Sequence, residues 1–237
     1  MPEIQGVLRK HFLEVPNEIN KATGIRIFGK TIKSIVFTTD VAIIRNINAD
    51  AVIAVYPFTP QPIITQAVIA AADIPVFSGV GGGITSSKNR VLNLALHAEF
   101  QGAIGVVVNA PTSNNVVYLL SKKIDIPVIV TVVSEKEDIQ SRIESGASIL
   151  NVSASSKTPF VVEKIKNKFP DVAVIATGGP TIQSVIDTVN AGANAITWTP
   201  PTTGQLFKGI MEKYREELPA SSKILFNVDE QVFDKVD

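Results

Sequence analysis

The chain has no cysteine and only two histidines, His11 and His97, in 237 residues. Without thiols it can form no disulfide and offers no thiolate nucleophile, no cysteine-held zinc and no iron–sulfur cluster. His97 falls in the helical run Val91-Leu92-Asn93-Leu94-Ala95-Leu96-His97, and His11 precedes the repeat described below. Both are read as structural, which argues against a histidine metal site or a Ser/His/Asp triad. Charge of one sign is lacking as well: Lys+Arg and Asp+Glu number 22 each, so there is no basic footprint for nucleic acid. No apolar run reaches ~18 residues, and no basic start leads into a hydrophobic signal region. A cytoplasmic protein with no membrane partner is expected. Charged residues make up only 19% of the chain against 45% hydrophobic, which is ample for a closed core.

What is present is a two-beat pattern. A small-residue step into an apolar run recurs at Asn48-Ala49-Asp50-Ala51, Gln101-Gly102-Ala103-Ile104, Ser145-Gly146-Ala147-Ser148 and Ala191-Gly192-Ala193-Asn194, with intervals of 54, 44 and 46 residues between the alanines. Between these steps lie Ser34-Ile35-Val36-Phe37, Asp73-Ile74-Pro75-Val76-Phe77, Asp125-Ile126-Pro127-Val128-Ile129 and Asp171-Val172-Ala173-Val174-Ile175. Two βα units fit each interval, so four pairs give eight strands. The fold expected is α/β, a single (β/α)8 barrel.

Strands are predicted at 33–39, 51–56, 75–79, 103–109, 127–133, 148–153, 173–177 and 195–199. Their runs are continuous rather than alternating, as suits parallel strands buried on both faces. Helices are predicted at 41–47, 61–72, 86–100, 114–124, 135–145, 158–169, 181–190 and 204–218, with Gly102, Gly146 and Gly192 at helix ends, where a left-handed cap favours glycine. The whole chain, 1–237, reads as one domain. Residues 1–32 form an extension in which 24–33 alternate about Gly29-Lys30 as a β-hairpin, suited to plugging the bottom of the barrel. The barrel occupies 33–218. The tail 219–237 carries Ile224, Leu225, Phe226, Val232 and Phe233, apolar enough to pack on the barrel or to support a homo-oligomer.

A barrel confines chemistry to the loops after its strands. Ala176-Thr177-Gly178-Gly179-Pro180-Thr181 ends the seventh strand and opens a helix, where backbone N–H groups and the helix dipole favour an anion. Thr199, Thr202 and Gly204 follow the eighth strand; phosphate sites of such barrels often use these two loops. The alternative is a pair of tight turns with helix caps. Ser78-Gly79-Val80-Gly81-Gly82-Gly83-Ile84-Thr85-Ser86-Ser87-Lys88 follows the third strand and fits neither a Walker loop nor a Rossmann fingerprint, leaving a substrate-contacting lid or a flexible connection. Asp40, Lys88, Glu135 and Lys157 are the charged candidates near strand ends. Asp40 also suits a helix cap, and Glu135 a helix's first turn. Asn109, Thr131, Asn151 and Thr177 interrupt apolar strands near their C-terminal ends. Buried polar groups need partners, so these are expected to face the mouth.

Residues 126–204 resemble the back half of the ribulose-phosphate-binding barrels, on Ile126-Pro127-Val128-Ile129, Glu144-Ser145-Gly146-Ala147-Ser148-Ile149-Leu150-Asn151, Phe169-Pro170-Asp171-Val172 and Ala176-Thr177-Gly178-Gly179. The nearest likeness is to the 2-keto-3-deoxy-6-phosphogluconate aldolase type of class I aldolase. The front half matches more loosely, through Val55-Tyr56-Pro57-Phe58-Thr59-Pro60. The resemblance implies that Thr177, Gly178 and Gly179 hold a substrate phosphate. Its catalytic positions are not retained: Asn151 stands where the family has its Schiff-base lysine, and an amide forms no imine, while Ala54 aligns with the general-base glutamate.

The expected function is a lyase or isomerase acting on a small phosphorylated metabolite. Thr177, Gly178, Gly179, Thr199, Thr202, Gly204 and Asn109 would contact the substrate. Asp40 or Glu135 would serve as base, Lys88 or Lys157 would stabilise negative charge, and Asn151 would occupy the family's catalytic position. No acidic cluster suggests a metal, and no cofactor is expected. The rival is a non-catalytic protein that binds a phosphometabolite or assembles on the same barrel.

Overall fold

The structure is a computed structural model that describes residues 12–217 together with Pro2. His11 and the apolar tail at 219–237 therefore lie outside the described residues. The chain opens on a 3-10 turn at Asn17–Lys21 and an antiparallel hairpin of β1 (Ile25–Ile27) and β2 (Lys30–Ile32). It then alternates β3 (Ser34–Phe37), α1 (Val41–Ile44), β4 (Ala51–Ala54), α2 (Pro62–Ala71), β5 (Val76–Gly81), α3 (Lys88–Phe100), β6 (Gly105–Val108) and α4 (Asn114–Ser121). The second half continues with β7 (Val128–Val132), α5 (Ile139–Glu144), β8 (Ile149–Val152), α6 (Thr158–Lys168), β9 (Ala173–Thr177), α7 (Ile182–Asn190), β10 (Ala195–Trp198) and α8 (Thr203–Glu217). Strands β3 to β10 form a closed parallel barrel in the order β10-β3-β4-β5-β6-β7-β8-β9. The fold is a TIM barrel. Among the described residues, 201–217 belong to a second compact unit, which includes α8. Among the described residues, no helix is long and apolar enough to cross a membrane.

Two apolar cores follow from the period of two along each strand. Ile35, Ile53, Phe77, Val107, Ile129, Ile149 and Ile175 fill the barrel interior together with Ile25, Ile27 and Ile32 of the hairpin. The hairpin thus closes the N-terminal end of the barrel, as its apolar alternation predicts. Its turn is centred on Phe28-Gly29, both with positive φ, and not on Gly29-Lys30, because Ile27 pairs with Lys30. Val36, Val52, Ala54, Val106, Val130, Leu150, Val152, Val174 and Ile196 face outward into a larger core shared with Val68, Val91, Val117, Leu120, Val161 and Val185 of the helices.

The small-residue steps have a structural purpose. Asp50 Oδ2 accepts the N–H of Ser34 (2.9 Å), Ser148 Oγ that of Val128 (3.3 Å), and Asn194 Oδ1 that of Val174 (2.9 Å). In each case the polar residue after the repeat alanine satisfies an N–H at the start of the preceding strand in the ring. Gly102, Gly146 and Gly192 end their helices at φ of +94, +94 and +100°.

Two elements differ from expectation. The third barrel strand, β5, runs on through Ser78-Gly79-Val80-Gly81, with a register shift between Gly79 and Gly81. Glycine-rich sequence resembles a loop, but buried neighbours accommodate it as a bulge. The helix expected at 135–145 begins only at Ile139, because Asp138 caps it. Asp138 Oδ1 accepts the Ser141 N–H at 3.1 Å, and its Oδ2 accepts the Ser141 hydroxyl at 2.6 Å. That hydroxyl, together with the N–H, holds the Asp138 carboxyl below its ordinary pKa. Glu135 therefore lies ahead of the helix and not in its first turn.

Phe77, fully buried in the barrel interior, tests this packing. Phe77→Ala is expected to destabilise the protein by about 3–5 kcal/mol. Phe100→Ala, at a side chain 78% exposed, should stay within about 0.5 kcal/mol; urea unfolding midpoints with unchanged slope would show the contrast.

Candidate functional site

The C-terminal mouth of the barrel carries a polar layer above an aliphatic interior. Thr131 on β7 donates its hydroxyl to Asn109 Oδ1 (3.1 Å), and Asn151 Nδ2 on β8 donates to Thr131 Oγ1 (3.3 Å). Thr131 and Asn151 are direct register partners, as are Thr177 and Thr197 on β9 and β10. Each lies two residues beyond an inward-facing aliphatic (Val107, Ile129, Ile149, Ile175 or Ala195), so all five share the interior parity. Asn151 and Thr197 are only 9% and 6% exposed, and Asn151 Oδ1 and Thr197 Oγ1 have no partner among the described residues. Leaving such an atom unpaired costs about 1–3 kcal/mol. Two of them in one layer, on β8 and β10 at either side of β9, are a cost that packing alone does not require.

Beside this layer, beyond β4, β5 and β6, opens a cavity of about 240 Å³ lined by Val55, Tyr56, Pro57, Phe58, Pro60, Gly79, Gly81 to Thr85, Asn109 and Ala110. Its floor is a two-residue hairpin: Gly82 N–H donates to Thr85 O and Thr85 N–H to Gly82 O, both at 3.0 Å. Gly83, at φ +56°, takes the first turn position, as a type II′ hairpin favours. Gly82 (φ +90°) has no room for a side chain, since a Cβ there would lie 2.0 Å from Asn109 O. The glycine run is thus partly strand and partly a pinned turn, with Ile84 exposed at its tip. Asn109, shared by the polar layer and the cavity, was expected from its strand-end position. Thr85 falls in the glycine-rich segment that offered a substrate-contacting loop, whereas Tyr56, Phe58 and Thr197 were not expected, and only their proximity to strand ends could have marked them.

The loop after β9 presents a mixed picture. Gly178 packs tightly, with Ile196 and Val185 where a Cβ would lie, and its N–H is committed to Thr197 O at 3.0 Å. Gly179 is exposed. Thr181 and Ser184 form a capping box, each side chain accepting the other's backbone N–H at 3.1 Å. The N–H groups of Gly179, Ile182 and Gln183 have no partner among the described residues, so the open end of α7 keeps donors for an anion. Thr199 is exposed at the end of β10. Thr202 and Gly204 belong to the second unit. There Thr202 forms a capping box with Gln205 at 2.8 and 3.2 Å.

The charged candidates are largely engaged. Asp40 Oδ1 caps α1, accepting from Ala42 and Ile43 at 2.9 and 3.3 Å. Lys88 is exposed at the first position of α3. Glu135 and Lys157, from the loops after β7 and β8, form an ion pair at 3.0 Å. The Glu135 carboxyl is held below its ordinary pKa, first by its own backbone N–H and then by Lys157. Ala54, aligned with the aldolase glutamate, belongs to the outward core with the helices, so its side chain does not enter the barrel. Among the described residues, no group of three or more His, Asp or Glu is placed to hold a metal ion.

No protein-family model matches the sequence, and no curated protein matches it. Solved structures do match. A candidate phosphonomutase from Burkholderia cenocepacia J2315 aligns with a TM-score of 0.62 at 13% identity, covering 84% of this chain and 97% of that one. A phosphonopyruvate hydrolase in complex with oxalate and Mg2+ gives 0.59 at 12%, covering 78% and 80%. A candidate dihydrodipicolinate synthetase from Pseudomonas aeruginosa gives 0.55 at 12%, covering 77% of each chain. At such identities the likeness shows the TIM-barrel fold alone.

Because the carboxyl of Glu135 is depressed, its favourable interactions are present above its ordinary value near 4.5 and are lost as pH falls through the folded value. In Lys157→Gln the Glu135 titration, followed by carboxyl NMR, should move upward yet stop short of the ordinary value, because the larger contribution, its own N–H, remains.

Proposed function

We propose that the protein is a TIM-barrel enzyme acting on a small metabolite that carries phosphate or a related oxyanion, by lyase or isomerase chemistry at the C-terminal mouth. The observation that carries this reading is the polar layer of Asn109, Thr131, Asn151 and Thr197 with its two unpaired oxygens. A barrel selected for stability alone would fill those positions with aliphatics, and a ligand bound there supplies the missing partners. The open N–H groups of Gly179, Ile182 and Gln183 support an anion at the β9 side, with Thr177 and Thr199 as hydroxyl donors nearby in sequence. Phosphonate chemistry in the names of two structural neighbours, and the oxalate bound to one of them, are in keeping with a small acidic substrate. The likeness to aldolases of the ribulose-phosphate-binding group supports the same anion loop.

With Asn151 at the lysine position, the reaction does not pass through an imine on that side chain. The remaining means are a carboxylate base, Glu135 or Asp40, and neutral hydrogen-bond donors around developing charge. Glu135 paired with Lys157 stays ionised at neutral pH, the protonation state a base requires. The second reading, a binding protein without turnover, is favoured by the engagement of Asp40 in a helix cap and of Glu135 in its ion pair.

Thermal unfolding against inorganic phosphate, pyruvate and sugar phosphates tests the anion site. A ligand at 100 times its Kd adds about 2.7 kcal/mol, or a rise in Tm on the order of 5–11 °C. The rise is expected with oxyanion ligands and not with uncharged sugars, and Asn151→Leu should abolish it. No shift with any oxyanion would overturn the reading. Asp40→Asn, which retains the cap, and Glu135→Gln then separate enzyme from binder: turnover should fall while the Tm rise persists.

A further inference from the structure

We infer that the cavity beyond β4, β5 and β6 is a subsite for an uncharged, ring-sized part of the ligand with apolar faces and a polar acceptor, so that the substrate is a small acid with a hydrophobic body. This rests on the reading of the mouth as a small-molecule site and names the class of molecule it takes. No formally charged side chain lines the cavity among the described residues. Its walls divide about equally between apolar surface, which includes Val55, Pro57, Phe58, Pro60 and Ile84, and polar surface from Tyr56, Thr85, Asn109 and the glycine-rich backbone. A concave mixture of apolar surface and placed polar groups characterises small-molecule sites.

Two side chains on the wall offer donors, and the buried Thr85 hydroxyl, without a partner among the described residues, can donate or accept. Tyr56 Oη accepts the Gln61 N–H at 2.9 Å and so keeps its own proton to give. Asn109 accepts the Thr131 hydroxyl through Oδ1, and its amide NH2 has no partner among the described residues. The two donors call for an acceptor on the ligand, such as a carbonyl or carboxylate oxygen. The volume, about 240 Å³, lies below the roughly 300–1,000 Å³ of drug-sized sites, which suits a single ring. Phe58 and Ile84 are 70% and 75% exposed on either side of the opening. Such large apolar groups gain by covering an apolar occupant and have no packing role without one.

Isothermal titration of the full chain with four probes tests this: inorganic phosphate, pyruvate, phenylpyruvate and benzamide. An added apolar group seated in a pocket is worth roughly ten-fold or more in affinity. Phenylpyruvate should therefore bind with a Kd at least ten-fold lower than pyruvate, and benzamide should bind measurably. Phe58→Asp, at an exposed position that leaves the fold intact, should erase both effects, while Phe58→Leu should keep them. Equal affinity for pyruvate and phenylpyruvate, or a preference that Phe58→Asp leaves untouched, overturns the subsite. Binding of phosphate and pyruvate without a phenyl preference sinks the subsite alone. Binding of benzamide without either anion upholds the subsite and sinks the oxyanion reading. Silence from all four probes overturns both.

Discussion

The pairing of β10 with β3, through Ile196 to Ser34, Thr197 to Ile35 and Trp198 to Val36, closes the ring on which the mouth depends. Closure removes both sheet edges and fixes every register at once. Because side chains alternate across a strand, a register error of one residue on any strand would exchange its interior and exterior faces. Asn109, Thr131, Asn151, Thr177 and Thr197 meet in one layer only because each strand is held in phase. Part of that phase is set at the opposite end, where Asp50, Ser148 and Asn194 each take an N–H at the start of the neighbouring strand. The polar residue of the sequence repeat is thus a register device, and the repeat is legible because the device recurs.

The fold was open to reading from the chain because the repeat reports a local need met several times in the same way. The hairpin plug was legible too, since Ile25, Ile27 and Ile32 alternate with exposed polar residues. Interior and exterior in the barrel strands were not. Runs such as Ala51-Val52-Ile53-Ala54 are buried on both faces, so hydropathy carries no phase. That is why Ala54 could be aligned with an inward-facing glutamate although it packs against the helices. The glycines of β5 misled for a related reason. Their sequence signals flexibility, while the hydrogen bonds between Gly82 and Thr85 and the approach of Asn109 hold them in place. The late start of α5 turned on one side chain, Asp138, whose competition for the helix cap no periodicity reveals.

Charge is distributed so that the centre of the mouth is neutral. Asp40 is drawn into a helix cap, and Glu135 and Lys157 neutralise one another at the rim. Between them stand amides and hydroxyls. In a site of this kind, electrostatic work falls to oriented dipoles, which lose little to reorganisation when water is excluded. It also limits proton transfer, because the available carboxylate is held at a depressed pKa and is a correspondingly weak base. The site favours binding over proton chemistry unless substrate displaces Lys157 from Glu135, which would raise the basicity of the carboxylate at the moment it is needed.

The order of strands adds a directional constraint. In the ring β10-β3-β4-β5-β6-β7-β8-β9, β5 and β9 are diametrically opposed. The uncharged cavity lies at β4 to β6, and the open N–H groups of Gly179, Ile182 and Gln183 lie after β9. The polar layer occupies the arc between, from Asn109 through Thr131 and Asn151 to Thr177 and Thr197. On the proposed reading, a ligand that satisfied both sides would lie across the mouth, its anion at α7 and its hydrophobic body under Phe58 and Ile84. Its reactive centre would then lie near Asn151, the position from which a lysine would otherwise act. Binding and orientation would thus be achieved by the same alternation of strands that builds the core.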